Sequence, residues 1–134
     1  MKSSSRALHM AHYLQAHADE QQPLSGKNKP QTWSDYVGLG WYLEFLRERL
    51  KDGVVTFSFW KKDGSIREAK GTLHPLLIPF DKHPKGTRDP SSFQFSTFTF
   101  FDLDKGEWRS FSITHFIGFV TIYKITNERW AVTQ

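Results

Sequence analysis

Residues 54–72, VVTFSFWKKDGSIREAKGT, decide the fold of this chain. Up to Trp60, large apolar side chains alternate along the stretch, which is the period of a β-strand with one buried face. Asp63-Gly64 is the dipeptide most typical of a tight hairpin turn, and residues 66–72 run back from it. The stretch therefore predicts an antiparallel β-hairpin.

The sequence after this hairpin predicts three more short strands. Pro75 and Pro79 make the apolar residues 73–79 a bend, because proline cannot donate to a β-ladder, and residues 80–92 form an exposed loop. The further strands are predicted at residues 93–102, 107–112 and 118–126, with a turn at 103–106 and a single helical turn at 113–117. Five short antiparallel strands in this arrangement predict a small SH3-like β-barrel.

Two helices are predicted before the first strand. Apolar residues recur at helical spacing over residues 5–19 and predict a short amphipathic helix. Thr32 and Asp35 have the spacing of a capping box that starts a second helix over residues 33–51. Gly53 stands where a C-terminal cap is expected. Apolar residues cover well over one face of the second helix, so it should be largely buried.

The predicted fold is thus α+β, with two N-terminal helices packed on a five-stranded antiparallel barrel. Residues 1–53 form the helical segment, with a polar connector at 20–31, and residues 54–134 form the barrel, within one compact unit. The predicted strands at 93–102 and 118–126 carry apolar groups on both faces, and a barrel interior buries only one set. We expect the helices to cover the second set; a ligand or a partner chain is the alternative.

Composition narrows the class of protein. The chain has 134 residues with 12 Phe, 5 Trp and 4 Tyr, too many aromatic residues for a disordered segment. A formal net charge of +4 permits attraction to phosphates. The absence of Cys excludes a disulfide framework, a thiolate metal site and a cysteine nucleophile. No membrane span or secretory signal pattern is recognisable, so we expect a cytoplasmic protein without membrane contact.

Two pieces of the barrel segment, KKDGSIREAKGTL at 61–73 and FFDLDKGEWRSF at 100–111, resemble a family of small bacterial and phage proteins described as WYL-like. The resemblance spans about residues 54–123 and implies an Sm-like SH3 barrel. The better-studied WYL domains of bacterial regulators and defence-associated proteins are regarded as sensors of nucleic acid or nucleotide-like ligands. The resemblance thus implies a binding or sensing module in a bacterial or phage regulatory context.

The resemblance carries over to individual positions only in part. Arg109 matches the arginine that follows the aromatic residue of the fourth strand. Ser112 and His115 stand where the pattern has further basic residues, and the Trp-Tyr-Leu triplet is not kept in the third strand. The literal Trp-Tyr-Leu of residues 41–43 lies in a predicted helix. The resemblance therefore implies the fold more firmly than the ligand site.

Aromatic and cationic residues adjoin one another on the first hairpin and on the fourth predicted strand. Single-stranded nucleic acids favour such surfaces, because bases stack on aromatic rings while Lys and Arg neutralise phosphates. The predicted ligand-binding or nucleic-acid-binding residues are Trp60, Lys61, Lys62, Arg67, Lys70, Trp108 and Arg109. The alternative is that both tryptophans fill the core and the cations form a solvated face.

Patterns for catalysis or metal binding are weak in this sequence. His9, His12 and His17 lack an acidic third ligand nearby, and the segment 102–107 resembles a calcium loop whose glycine comes one position early. No nucleophile and general base occur together in a recognisable motif. We therefore predict a protein that is not an enzyme and has no catalytic residue, metal or cofactor. The alternative function is protein interaction or assembly, with a partner protein or a homo-oligomer held by the surplus aromatic strand faces.

Overall fold

Two helices and one antiparallel sheet make up the described part of the chain in this computed structural model. The structure describes residues 2–20, 30, 32–84, 95–126 and 129–133. The helices are α1 (Lys2–Ala16) and α2 (Trp33–Asp52), and the strands are β1 (Gly53–Trp60), β2 (Ile66–Thr72), β3 (Thr97–Asp102), β4 (Glu107–Ser112), β5 (Phe116–Thr126) and β6 (Arg129–Thr133). Most of the predicted connector, the predicted loop from residue 85 and the first residues of the predicted third strand lie outside the described residues.

Helix α2 begins at the predicted capping box. The Asp35 N–H donates to Thr32 Oγ1 at 3.2 Å, and the Thr32 N–H donates to Asp35 Oδ2 at 3.0 Å. These bonds satisfy donors that a helix start leaves free. At the other end, the N–H of Gly53 donates to the Arg49 carbonyl. The prediction of this helix is confirmed to within one residue.

Helix α2 buries one face only. Leu43, Leu46 and Leu50 are at most 1% exposed, whereas Trp41 and Phe45 are 40% and 47% exposed. The expectation that this helix is largely buried is therefore wrong for its outer face. The reason is that α1 and the sheet contact only part of the helix circumference.

Helix α1 packs closely against α2. A Cβ atom on Gly40 would stand 2.1 Å from the Ala7 carbonyl oxygen, so the two backbones approach at a point that only glycine allows. Beside this contact, Arg6 Nε donates to Glu44 Oε1 at 2.9 Å. The helix starts and ends earlier than the predicted residues 5–19, and a short 3₁₀ turn follows at Ala18–Glu20.

The sheet has six strands in the order β4-β3-β2-β1-β5-β6. The predicted hairpin is confirmed, with β1 and β2 in register from Val54↔Thr72 to Trp60↔Ile66, and Gly64 lies in its turn at φ 88°. The prediction of five strands is corrected to six, because β6 pairs antiparallel with β5. The two N-terminal helices and the antiparallel sheet confirm the α+β class.

The described ladders do not close into the predicted barrel, since β4 and β6 are the two edges of the sheet. The continuity of the sheet is weakest between β2 and β3, which share only the pairs Gly71↔Asp102 and Thr72↔Phe101. A Cβ on Gly71 would stand 2.7 Å from the Phe100 ring, so glycine permits the close approach at this corner. The sheet bends here.

Bending brings β4 back over β1. The rings of Phe59 in β1 and Phe111 in β4 stack at 4.7 Å, although β2 and β3 separate the two strands. In a flat sheet, three strand spacings would place them about 14 Å apart. Phe111 also lies 5.9 Å from Phe116 at the start of β5. The sheet is therefore strongly curled around a shared aromatic core.

The helices contribute to the same core as the sheet. The cluster of buried side chains comprises Met10, Ala11, Leu14, Tyr36, Leu43, Leu46, Leu50, Val55, Phe57, Phe59, Ala69, Phe98, Phe100, Phe111 and Ile113. On the other face of β3, Phe101 is 1% exposed and meets the Trp108 ring edge to face at 5.6 Å. Among the described residues, neither helix is both long and apolar enough to span a bilayer.

Candidate functional site

A groove of about 390 Å³ lies between the turn of the first hairpin and strand β4. The curl of the sheet creates it, because the Phe59 and Phe111 stack holds the end of β1 against β4. Its lining is Phe59, Trp60, Lys61, Lys62, Asp63, Arg67, Arg109, Ser110, Phe111, Ser112 and His115. The groove is therefore cationic and partly aromatic.

Most of the residues predicted to bind a ligand line this groove. Trp60, Lys61, Lys62, Arg67 and Arg109 belong to the lining, although Arg109 comes from a strand far along the chain from the hairpin. Lys70 and Trp108 do not line it. Lys70 is three residues from Arg67, and Trp108 is next to Arg109, so each side chain points to the opposite face of its strand.

Trp108 is held in another part of the molecule. Its indole Nε1 donates to the Lys82 carbonyl oxygen at 2.7 Å, and its ring packs against Phe101. Trp108 is half-buried there and does not face the cationic groove. Lys70 is exposed on the outer face of β2.

Arg67 is oriented by a buried carboxylate. Its guanidinium donates to Asp102 Oδ2, and Asp102 is fully buried. The other carboxylate oxygen, Oδ1, accepts the N–H groups of Asp104 and Lys105, both at 3.0 Å. Asp102 thus organises the β3–β4 turn and compensates much of the Arg67 charge.

The other cations of the groove are more accessible. Arg109 pairs with Glu107 at 2.6 Å, and both side chains are exposed. Lys62 is exposed and forms no salt bridge with another described residue. Exposed pairs contribute little to stability, so an anionic ligand can replace Glu107 at small cost.

One carboxylate lies inside the groove. Ser65 donates to Asp63 Oδ1 through its hydroxyl at 2.6 Å and its backbone N–H at 2.9 Å. These bonds, with the nearby Lys61 ammonium, hold the pKa of Asp63 below its usual value of 3.8. Asp63 is therefore charged at neutral pH and weakens the positive potential of the groove.

Trp60 offers a ring face, not a hydrogen bond. The residue is half-buried, and its indole Nε1 is buried without a partner among the described residues. A ligand outside the protein would therefore meet the exposed part of the ring. Stacking of a nucleobase on such a ring contributes about 1–3 kcal/mol.

Sequence reasoning missed several residues of the lining. Phe59, Asp63, Ser110, Phe111, Ser112 and His115 also face the groove. Asp63 could have been included from its place in the hairpin turn beside Lys62. Ser112 and His115 stand at positions where the family pattern has basic residues. Ser110 and Phe111 of β4 could not have been included, because only the curl of the sheet brings them to the hairpin.

The histidines of α1 make ring contacts within the fold. His9 stacks on Phe95 at 4.6 Å, and His17 stacks on Tyr13 at 4.0 Å. In the described part of the chain, no group of three His, Cys, Asp or Glu residues could hold a metal ion.

Comparisons with known proteins identify the family. The WYL_2 family, described as having an Sm-like SH3 β-barrel fold, matches residues 43–117, which run from the second half of α2 to the start of β5. An uncharacterised 11.5 kDa protein in the Gp31-cd intergenic region of Enterobacteria phage T4 is 35% identical over 74 residues, which cover 55% of this chain and 72% of the phage protein. No solved structure matches the chain significantly. The matched segment contains the first hairpin and β4, and the chain therefore belongs to the WYL_2 family of small Sm-like SH3 β-barrel proteins.

Proposed function

We propose that this chain is a non-enzymatic module that binds nucleic acid or a nucleotide-like ligand in the cationic groove. The observation that carries the proposal is the convergence of Lys61, Lys62, Arg67 and Arg109 with the Trp60 ring on one surface. Membership of the WYL_2 family is compatible with a binding role. The proposal includes a cytoplasmic location and a bacterial or phage regulatory context.

Within this proposal, single-stranded nucleic acid is the favoured ligand. Phosphates would lie against Lys62 and Arg109, whose side chains reach solvent. An unpaired base can stack on Trp60, whereas a duplex keeps its base faces stacked on one another. A duplex would therefore gain the phosphate contacts alone.

Fluorescence anisotropy of labelled single-stranded DNA, single-stranded RNA and duplex DNA, at several salt concentrations, tests the proposal. Lys62→Gln should weaken single-strand binding about threefold to tenfold and reduce the slope of log affinity against log salt by about 1. Lys70→Gln is the matched control, because it removes the same charge from the opposite face of the hairpin.

Two results would contradict the proposal. The first is the absence of binding to every nucleic acid at low salt. The second is an equal effect of Lys62→Gln and Lys70→Gln, which would mean that the net charge of the protein attracts the ligand and the groove does not.

Protein interaction is the second candidate function. In β3, Phe98, Phe100 and Phe101 are buried, so this strand offers no surplus aromatic face. Among the described residues, α2 carries exposed aromatic side chains at Trp41 and Phe45. Light scattering over a range of concentrations tests self-association, which the double substitution of Trp41→Ser and Phe45→Ser should abolish. A wild-type protein that stays monomeric throughout would remove the support for a homo-oligomer.

A further inference from the structure

A second cleft, of about 400 Å³, lies on the other side of β4 from the cationic groove. Its walls come from the end of α2, the segment after β2, and β4. The lining residues are Lys51, Leu73, Pro75, Ile78, His83, Pro84 and Trp108. A volume of this size is within the range of about 300–1,000 Å³ that small-molecule sites occupy.

Hydrogen bonds hold the walls of this cleft in place. His83 Nε2 lies 3.0 Å from the Pro75 carbonyl oxygen and 2.9 Å from that of Ile78. Carbonyls only accept hydrogen bonds, so this nitrogen carries the proton and donates it. On the opposite wall, Trp108 donates to the Lys82 carbonyl at 2.7 Å. The cleft is therefore formed before any ligand arrives.

Among the described residues of the lining, these bonds leave the ammonium group of Lys51 available. The Nε2 of His83 and the indole nitrogen of Trp108 already have acceptors. Lys51, in the last turn of α2, is half-buried and forms no salt bridge with a described residue. The remaining lining is aliphatic and aromatic. An apolar cavity with a single cation is complementary to an apolar molecule that carries a single negative charge.

The segment after β2 also carries exposed apolar side chains beyond those that line the cleft. Leu76 and Phe80 are 85% and 89% exposed, and both belong to the segment that forms one wall. The Phe80 ring lies 5.6 Å from the imidazole of His83, which faces the cleft. A large apolar side chain as exposed as Phe80, beside a residue that lines an apolar cavity, is typical of a binding surface.

We infer that this cleft binds a small amphipathic carboxylate, such as a medium-chain fatty acid. The carboxylate pairs with the Lys51 ammonium, and the chain lies against Ile78, Leu73 and the Trp108 ring. The tail leaves the cleft past Phe80. The site is separate from the cationic groove, because Trp108 and Arg109 point to opposite faces of β4.

Calorimetric titration with three probes of equal chain length tests the assignment: octanoate, 1-octanol and octyltrimethylammonium. Octanoate should bind about tenfold more tightly than octanol, because a hydrogen bond to a charged group is added. Lys51→Gln should lower the affinity for octanoate to that for octanol and leave octanol unchanged. Lys51→Glu should shift the preference to the ammonium probe. Lys70→Gln removes a charge that lines neither the cleft nor the cationic groove, and it should leave octanoate affinity as in the wild type.

A second measurement requires no variant at Lys51. Octanoate should shift the indole ¹H–¹⁵N resonance of Trp108 in the wild-type protein, with the resonance assigned through Trp108→Phe. Equal affinity for octanoate and octanol, retention of octanoate binding by Lys51→Gln, or no probe binding at all would overturn the inference. Binding of acidic apolar peptides without binding of octanoate would also overturn it, since the occupant would then be a protein. None of these outcomes depends on nucleic-acid binding in the groove.

Discussion

Arg67 and Arg109 both line the cationic groove, but their carboxylate partners differ in burial. Asp102, the partner of Arg67, is fully buried, so separating that pair would leave an uncompensated charge in the interior. Glu107, the partner of Arg109, is exposed, and such a pair contributes about 0–1 kcal/mol. Arg109 can therefore exchange its partner for a phosphate, whereas Arg67 is retained by the fold.

Asp63 is the groove residue that should oppose an anionic ligand. Removing its charge with Asp63→Asn should raise the affinity for single-stranded nucleic acid about twofold to fivefold, because one repulsion disappears while the Oδ1 acceptor of the turn remains. Anisotropy titration measures the change. Glu68→Gln is the control. Glu68 is exposed and follows Arg67 in β2, so its side chain lies on the opposite face of the strand. An equal gain for both variants would show that the effect is not local to the groove.

The same substitution predicts a pH dependence of stability. Hydrogen bonds from Ser65 and the Lys61 charge hold the folded pKa of Asp63 below 3.8. The stabilisation is therefore complete above the pKa of the unfolded chain and is lost as the pH falls through the lower folded pKa. Urea unfolding over a pH series should show wild type and Asp63→Asn differing at neutral pH and converging in acid. A difference that stayed constant into acid would contradict this assignment.

At the scale of elements, α1 and α2 are held together by a contact that depends on one glycine. Gly40 faces the Ala7 carbonyl, while Gly38, on the same helix, has open space around it. Two glycines in α2 thus have opposite roles. One is needed for packing, and the other only lowers helix propensity.

We predict opposite effects of alanine at these two positions. Gly38→Ala should raise the free energy of unfolding by about 0.5–1 kcal/mol, because alanine is the better helix former. Gly40→Ala should lower it by about 1–3 kcal/mol or more, because the new Cβ forces the helices apart. Urea unfolding of both variants measures the difference. Stabilisation by both substitutions would mean that α1 does not dock on α2 as described.

At the scale of the whole molecule, the helices and the curled sheet share one hydrophobic core. Leu14 of α1 is in the same cluster as Phe57 and Phe100 of the sheet. Because the core is shared in this way, we predict that a destabilising substitution in α1 also destabilises the strands.

Leu14→Ala should lower the free energy of unfolding by about 2–5 kcal/mol, the usual cost of a cavity at a buried leucine. Leu8→Ala, on the exposed face of the same helix, should change it by about 0.5 kcal/mol or less. Amide hydrogen exchange is the decisive measurement, because Leu14→Ala should accelerate exchange in β1 and β3 together with α1. If the strands kept their wild-type protection, the helices and the sheet would be separate cooperative units.

Local patterns determined several features of the fold. The capping box at Thr32 and Asp35, the helix over α2 and the Asp63-Gly64 hairpin depend on residues close together in sequence, and the structure confirms them. Strand β6 was missed, because its five residues depend on pairing with β5 more than on a pattern of their own. The alternation of side chains between the two faces of a strand could also have predicted that Lys70 and Arg67 lie on opposite faces of β2. The same alternation separates Trp108 from Arg109 in β4.

The sequence by itself thus determined the helices, the first hairpin, the family and the types of residue at the candidate site. Only the tertiary structure decided which of those residues meet. The curl of the sheet at Gly71 brings β4 to the hairpin and forms the groove, and it pairs Arg67 with Asp102 across 35 residues of chain. The physical reason is the separation along the chain of the residues that interact. Turns and caps follow from neighbours along the chain, whereas sheet curvature is set by packing the whole aromatic core, to which distant residues contribute together.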